Sequence, residues 1–246
     1  GIMHIAESLP AHRGVNFFVR KGKDLEERFI GNAYMFTPKD RKALLKIHTN
    51  APDPMAITKP YYDQVKDQDD VTKMQYLDLH LWMAGDILLK ADKMSMANSL
   101  ELRVPFLDKE VMALAQRIPT RYRVIHKPSE SGGTPYITKY AMRLAAKKDT
   151  PPQTAKTAAK KKLGFPVPIR VWLKEDTYYN MVKNTFEGNA AQQFFHTEKL
   201  VQLLDDHRAG KADNSRKIWT VYMFLVWYHV YFESDVIPTK PNVSCF

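Results

Sequence analysis

The amino-acid sequence predicts a mainly α-helical fold, and three observations support this prediction. Apolar residues recur every three or four positions over residues 70–98, further helical patterns cover much of the chain, and strand signals are scarce. The chain has 246 residues, of which 44% are hydrophobic and 26% charged, so it is long enough to bury a core without disulfides or a structural metal. We therefore expect a single helical region over residues 1–246.

Local patterns place the individual elements. Helices are predicted, in chain order, over residues 38–47, 70–98, 109–118, 138–147, 169–186, 197–207 and 215–232. Gly85 predicts a kink or break inside the long second helix, and Asp108 is placed to cap the third, whose Val111 and Leu114 are expected to face inward. Three prolines predict a loop over residues 50–60. Residues 100–104 alternate apolar and charged side chains, which predicts a short extended piece.

The positive charge of the chain is concentrated in one stretch. The net formal charge is +10, and residues 139–162 hold eight cations against one anion, a local excess of +7. Pro151 and Pro152 end the preceding helix pattern, and the Ala, Thr and Lys run that follows predicts a mobile segment over residues 149–161. A basic surface favours anionic partners, although most of these lysines are also consistent with a solvated face.

Composition and spacing argue against several classes of protein. The most apolar run, residues 218–232, is too short to span a bilayer, and residues 1–20 have no apolar stretch typical of a signal peptide. The single cysteine, Cys245, and the absence of histidine pairs four residues apart argue against a metal site. The basic stretch is rich in lysine and poor in aromatic residues, which argues against a nucleic-acid partner. We expect a cytoplasmic protein with no membrane partner.

Two stretches carry chemistry beyond this background. In residues 86–108, Asp92 shares a helical stripe with apolar residues, so it is expected to need a partner such as Lys93 or Arg103. One interpretation is a buried ion-pair network, and the other is a ligand site. In residues 160–173, Lys162 stands before Gly164, Phe165, Pro166 and Pro168, at the entrance of a stiff loop where it is a candidate cation for a phosphate.

These stretches resemble one known family. The sixteen-residue run KMSMANSLELRVPFLD (residues 93–108) resembles the synthetase-domain signature of the glutamine-hydrolysing asparagine synthetases. The run KKLGFPVPIR (residues 161–170) resembles the lysine loop of that family, and residues 25–36 and 219–227 add weaker matches. The resemblance covers nearly the whole chain. It implies the helical C-terminal part of a PP-loop ATPase synthetase domain, an adenine-nucleotide α-hydrolase-like fold with a Rossmann-like α/β core.

The resemblance also implies a reaction and its participants. In this family the side-chain carboxylate of aspartate attacks the α-phosphate of Mg-ATP, pyrophosphate leaves, and ammonia attacks the resulting β-aspartyl-AMP. The ammonia comes from glutamine, which a separate N-terminal glutaminase domain hydrolyses. ATP and Mg²⁺ are therefore the implied cofactors. Aspartate, glutamine-derived ammonia and the glutaminase and pyrophosphate-loop segments are the implied partners, and a homodimer is left open.

Site residues follow from positions in the family motifs. By resemblance, Lys162 is the catalytic lysine that contacts the phosphates, and Lys90, Asp86 and Lys160 belong to the ATP and pyrophosphate site. A mostly structural role is implied for the signature residues Asp92, Glu101, Arg103 and Asp108. No metal ligand is predicted in this chain.

Departures from the family pattern qualify this prediction. Ser131, Gly132 and Gly133 are followed by Pro and Tyr where the family's pyrophosphate loop has Asp and Ser, and they stand on the wrong side of the signature. The acidic loop and the glutaminase domain have no counterpart in the sequence. We therefore expect the chain alone to be inactive and to bind ATP poorly. The alternatives are a related amide- or β-lactam-forming synthetase and a noncatalytic interaction module derived from the same domain.

Overall fold

The computed structural model describes residues 23–32, 34–47, 49–127, 136–160 and 167–234. In chain order the α-helices are α1 (Leu25–Arg28), α2 (Pro38–Leu44), α3 (Pro54–Gln64), α4 (Asp70–Leu77), α5 (Leu89–Met96), α6 (Lys109–Arg117), α7 (Thr120–Arg123), α8 (Tyr140–Asp149), α9 (Pro152–Ala159), α10 (Ile169–Trp172), α11 (Asp176–Glu187), α12 (Asn189–Phe194), α13 (Thr197–Arg208) and α14 (Ser215–Tyr228). Asp78–Leu88 and His229–Glu233 are π-helical, and Pro105–Leu107 is a 3₁₀ turn. The described chain is therefore mainly helical, as predicted.

The described chain is organised in two compact units. The first unit comprises Gly1–Ala33 and Pro52–Gly164, and the second comprises Tyr34–Ala51 and Phe165–Phe246. Because the second unit contains an early segment of the chain, the division does not follow the sequence order.

The second unit has the larger core. It buries one set of side chains from α2, α11, α12, α13, α14 and the residues that directly follow α10 and α12, namely Leu44, Leu173, Tyr179, Val182, Phe186, Ala191, Phe195, Leu200, Leu204, Ile218, Val221 and Leu225. Backbone hydrogen bonds on both sides of a bridge between Leu45 and Phe195 attach the early segment: the Lys46 amide donates to the Phe194 carbonyl at 3.0 Å, and the His196 amide donates to the Leu44 carbonyl at 2.8 Å. The core and this bridge explain why α2 belongs to the later helices.

The first unit buries much less. Among its described residues the buried cluster consists of Leu25, Tyr62 and Leu77, with Phe29 and Met74 among the partly buried residues packed against it. The Tyr62 hydroxyl donates a 2.6 Å hydrogen bond to the Phe29 carbonyl, which fastens α3 to the end of α1. Most large apolar side chains of α5 and α6 remain exposed. The expected inward orientation of Val111 and Leu114 is therefore wrong, since no element described in this unit covers their face of α6.

The predicted helix over residues 70–98 is one continuous helical run with an altered middle. Asp69 caps its start by accepting from the Val71 and Thr72 amides, and α4 passes into the π-helical segment Asp78–Leu88 and then into α5 without a break. Gly85 lies within the π-helical turns and causes no interruption. Because a π-helix has more residues per turn than an α-helix, the apolar stripe predicted across this segment loses its register there.

Helix α3 corrects the prediction of a loop over residues 50–60. The Asp53 side chain accepts from the Met55 amide at 2.9 Å, and Pro54 occupies the first turn, where no backbone N–H is needed. Thr58 and Tyr62 are buried on one side of this helix. Burial of this face therefore overrides the helix-breaking tendency of Pro60, which lies inside α3.

Other helix boundaries differ more modestly from the predictions. The helix predicted over residues 169–186 is divided into α10 and α11, and the one predicted over residues 38–47 ends at Leu44 because Leu45 enters the bridge. Helix α9 lies within the stretch expected to be mobile, and it packs on α8. Helicity alone does not measure motion, so the mobility of residues 149–161 stays a prediction.

The described residues include one small sheet. Val124–His126 forms β1 and Tyr136–Thr138 forms β2, an antiparallel pair in which Ile125 lies opposite Ile137. No strand is assigned to residues 100–104. Within the described residues, no helix combines the length and apolarity that a bilayer crossing requires.

Candidate functional site

The end of α9 leads directly into the predicted lysine loop, of which residues 167–170 are also described. The Arg143 guanidinium, on α8, donates from Nε to the Thr138 carbonyl at 3.0 Å and from Nη1 to the carbonyls of Ala158 and Lys160. The Nη1 distance to the Lys160 oxygen is 3.0 Å. A cation placed at the C-terminal carbonyls of a helix is favoured by the helix dipole. Arg143 thus fixes the backbone up to Lys160.

Of the two lysines predicted for the phosphate site, only Lys160 lies within the described residues. Lys160 has an exposed side chain, and its amide donates to the Thr157 carbonyl at 3.1 Å. Lys162 lies outside the described residues, as do Ser131, Gly132 and Gly133. The assignments of Lys162 and Lys160 to the phosphate site therefore stay predictions.

Asp86 and Lys90 lie on successive turns of the same helical run. The Lys90 Nζ is 3.9 Å from the Asp86 Oδ1, and the Trp82 indole N–H donates to the Asp86 Oδ2 at 2.7 Å. The Asp86 carboxylate thus contacts both the Trp82 indole and the Lys90 ammonium. The side chains of Asp86 and Lys90 remain more than half exposed. An exposed lysine beside an oriented carboxylate is accessible to a polyphosphate, although the pair itself adds little stability.

The signature residues form a local exposed structure. The Arg103 Nη2 is 2.7 Å from the Glu101 Oε1, and the two side chains are 84% and 71% exposed. Asp92 is also exposed. The interpretation of these residues as a buried ion-pair network is therefore wrong, because the described residues provide no second layer over this segment. Asp108 caps α6 as predicted, since its carboxylate accepts from the Glu110 amide at 2.8 Å.

The predicted site residues are only partly brought together. Asp86 meets Lys90 and Glu101 meets Arg103, but no hydrogen bond or ion pair within the described residues joins Lys160 to either pair. No cluster of three metal-binding side chains occurs in that same part of the chain. The described residues therefore do not by themselves fit Mg-ATP, because they lack both a set of carboxylate ligands and a backbone cradle for phosphates.

A pocket that the sequence analysis missed lies in the second unit. It has a volume of about 360 Å³ and is lined by Tyr34, Met35, Asp213, Ser215, Arg216 and Lys217. The Ser215 hydroxyl donates to the Asp213 carboxylate at 2.6 Å, and this hydrogen bond is the main reason that the pKa of Asp213 lies below its ordinary value. Lys217 is paired with Asp40 at 2.9 Å. The hydrogen-bonding groups of Ser215, Asp213 and Lys217 are thus paired within the protein. No sequence motif indicated a function for these residues.

Comparison with protein families identifies a match that covers most of the chain. The model of the family described as asparagine synthase matches residues 9–229, which is most of the chain. The match includes the signature run, the lysine loop and helices of both units. No solved structure matches the chain.

Curated relatives carry the same family description. The chain is 43% identical over 240 residues to "Asparagine synthetase [glutamine-hydrolyzing] 1" of Bacillus subtilis (strain 168), covering 97% of this chain and 36% of that protein. It is 37% identical over 241 residues to a "Putative asparagine synthetase [glutamine-hydrolyzing]" of Mycobacterium bovis, covering 95% of this chain and 34% of the relative. A Mycobacterium tuberculosis (H37Rv) protein matches equally. The chain thus spans about a third of the length of the curated relatives it matches.

Proposed function

Because this chain belongs to the asparagine synthase family, whose synthetase domain is of the PP-loop ATPase superfamily, we propose that it is part of an ATP-dependent asparagine synthetase. In this proposal it supplies the helical C-terminal part of the synthetase domain. The observation that carries the proposal is the 43% identity to a glutamine-hydrolysing asparagine synthetase over 97% of the chain.

The proposed reaction has two steps. The β-carboxylate oxygen of aspartate bonds to the α-phosphorus of ATP, and the bond to the bridging oxygen breaks, so that pyrophosphate leaves with the electron pair. Ammonia derived from glutamine then attacks the acyl carbon, AMP leaves, and the nitrogen loses a proton to give the amide. Negative charge grows on phosphoryl oxygens in the first step, so cations placed beside them lower its barrier. Bound Mg²⁺ would neutralise part of the same charge.

Within that reaction, Lys162 is proposed as the cation that contacts the phosphates. It follows Lys160 by two residues, and Arg143 fixes the carbonyl of Lys160, so a rigid anchor precedes the lysine loop. Lys90 is proposed as a second cation for the pyrophosphate, with Asp86 and the Trp82 indole limiting its range of positions. Lys160 adds positive charge near the same end of α9. The proposed roles of these site residues, Lys162, Lys160, Lys90 and Asp86, depend on the proposed reaction and are tested together with it.

The chain alone is proposed to be inactive. Its described residues contain no phosphate cradle and no carboxylate cluster for a metal, so the cations of the first unit have no surrounding site to complete them. Titration of the isolated chain with ATP is expected to give weak binding. Submicromolar affinity would contradict this part of the proposal.

A chimera tests the function directly. In the Bacillus subtilis relative, the segment that aligns with this chain is replaced by this chain, and pyrophosphate release is measured with ATP, aspartate and either glutamine or ammonia. Asparagine should accumulate in proportion to pyrophosphate. If pyrophosphate appears only with another acyl acceptor or amine, a related amide- or β-lactam-forming synthetase is indicated. If a folded chimera releases none, the noncatalytic interpretation is favoured.

A substitution of Lys162 tests its proposed contact with the phosphates. In the active chimera, Lys162→Ala should lower kcat by about 10² to 10³-fold, the range for loss of one charge-stabilising group. The matched control is Lys156→Ala, on the exposed face of α9, which should leave kcat within about threefold because exposed charges interact weakly. An unchanged kcat for Lys162→Ala would remove that residue from the proposed site while leaving the family function intact.

A further inference from the structure

The signature region of the first unit exposes an unusual number of large apolar side chains. From the end of α5 to the middle of α6, nine of them are 38% to 67% exposed. We call this set the signature face, and it consists of Met94, Met96, Leu100, Leu102, Val104, Phe106, Leu107, Val111 and Leu114. Single exposed apolar residues are ordinary on a protein surface, but nine of them within 21 residues make this region a candidate interaction surface.

The signature face is built by defined local structure. The Leu100 amide donates to the Ser95 carbonyl at 2.9 Å, which ends α5 and turns the chain. The ion pair between Glu101 and Arg103 then shows that these two side chains share one side of the segment. Leu102, which lies between them, and its neighbours Leu100 and Val104 are 44% to 62% exposed. The charged side chains can stay in water while these apolar side chains pack against a partner.

Among the described residues of the first unit, no buried cluster includes this face. The described buried cluster of this unit contains Leu25, Tyr62 and Leu77, and none of these comes from the signature region. Burying apolar surface that is left in water is favourable. Nine side chains that are each 38% to 67% exposed therefore favour association.

We propose that the signature face is the docking surface for the remainder of a glutamine-hydrolysing asparagine synthetase, the part of such an enzyme to which this chain does not align. The proposal rests on the proposed function. In the Bacillus subtilis relative, the aligned segment is 36% of the protein, so the same signature region is accompanied there by about twice as much additional chain. A folded protein of that size can supply an apolar surface large enough to cover nine side chains.

Charge favours this occupant over a nucleic acid or an anionic lipid surface. Residues 92–110 contain Asp92, Lys93, Glu101, Arg103, Asp108, Lys109 and Glu110, three cations against four anions. A nearly neutral surface has no long-range attraction for a polyanion. Apolar side chains surrounded by mixed charges are typical of the interface between folded proteins.

Cysteine labelling tests the docking without relying on catalysis. Leu102→Cys and Phe106→Cys are introduced separately into the isolated chain and into the chimera with the Bacillus subtilis relative, and maleimide labelling at each site is followed by peptide mass spectrometry. The matched control is Ile57→Cys on α3, whose parent side chain is 48% exposed, against 49% for Leu102. Both test sites should label at least about tenfold more slowly in the chimera, because labelling would then require local opening. The control should label equally in both proteins.

Each outcome decides the proposal. Equal labelling of Leu102→Cys in the isolated chain and the chimera overturns it. Slow labelling already in the isolated chain, which speeds up on dilution, also overturns it and makes a second copy of this chain the occupant. An inactive chimera with protected test sites would keep the docking surface and reject the proposed function, whereas an active chimera with unprotected sites would do the reverse.

Discussion

The backbone amide of Leu100 donates to the carbonyl of Ser95 at 2.9 Å, across a left-handed residue, Ser99, with φ of +55°. The Ser99 amide donates to the Met96 carbonyl at 3.0 Å, so the two bonds form a Schellman motif. This motif ends α5 and directs the chain into the signature face. Ser99 occupies the position at which glycine is the usual residue, because an L side chain is strained there.

Ser99→Gly should therefore stabilise the first unit. Removing the side chain relieves the strain of the left-handed backbone, and we expect a gain of about 0.5–1 kcal/mol in the free energy of unfolding, measured by denaturant titration. The control is Ala97→Gly, since Ala97 has φ of −61° and ψ of −20°. That change should destabilise by about 0.5–1 kcal/mol. If both glycine variants lose stability equally, the motif is not formed in solution.

Tyr62→Phe should destabilise the small core of the first unit. The buried Tyr62 hydroxyl donates to the Phe29 carbonyl at 2.6 Å, so the variant leaves that carbonyl without its partner. A loss of about 1–3 kcal/mol is expected in the free energy of unfolding. Tyr61→Phe, in the neighbouring and partly buried ring, is the control and should change stability by less than about 0.5 kcal/mol.

The same tyrosine gives a dependence on alkaline pH. Burial, followed by the charges of Glu26, Asp78 and Asp70, raises the pKa of Tyr62 from 10.0 to about 12. A group whose pKa is raised on folding contributes stability that is lost as pH rises above the unfolded value. The stability difference between the native protein and Tyr62→Phe should therefore shrink between pH 10 and pH 12. A difference that grows over this range would contradict the assigned environment.

Asp40→Asn should weaken the second unit in a way that depends on acid pH. Burial raises the pKa of Asp40, but hydrogen bonds from Lys217 and Thr37 outweigh it, so the pKa lies below its ordinary value. The carboxylate also completes a capping box with Thr37 at the start of α2. We expect the variant to lose about 1 kcal/mol at neutral pH, as for loss of a helix cap.

Unfolding measurements at acid pH test whether the pKa of Asp40 is lowered in the folded protein. A carboxylate with a lowered folded pKa contributes stability above its unfolded pKa of 3.8, and this contribution disappears as pH falls below that value. The native protein and Asp40→Asn should thus converge below about pH 4. Asp67→Asn is the control, because Asp67 is exposed and no ion pair to another described residue is found for it. A constant difference down to pH 2 would mean that the Asp40 charge has no role.

Arg143→Met should loosen the end of α9. The variant removes the donor shared by the carbonyls of Thr138, Ala158 and Lys160. We expect amide hydrogen exchange in α9 to accelerate by about tenfold, which corresponds to about 1.4 kcal/mol of local opening energy. Lys147→Met on the exposed side of α8 is the control. Unchanged exchange in α9 would show that packing against α8 holds this helix without the guanidinium.

Several elements were predictable because the signal lies within a few residues. Asp108 was identified as the cap of α6 because a carboxylate preceding a helical pattern has a local partner in the next two amides. The start of the long helix at Asp70 and the family itself followed equally from contiguous residues. The π-helix over Asp78–Leu88 was not predictable, since the apolar spacing there fits an ordinary α-helix.

The sequence by itself determined the family, the mainly helical class and the capped start of α6, because periodicity and capping act between residues close together in the chain. Only the tertiary structure decided which apolar faces are covered. The helix around Pro60 forms because Tyr62 finds a buried partner, and the face around Leu102 stays exposed because no described residue covers it. Burial depends on surfaces that are distant in sequence, so a pattern of apolar residues predicts a face to be covered without specifying what covers it.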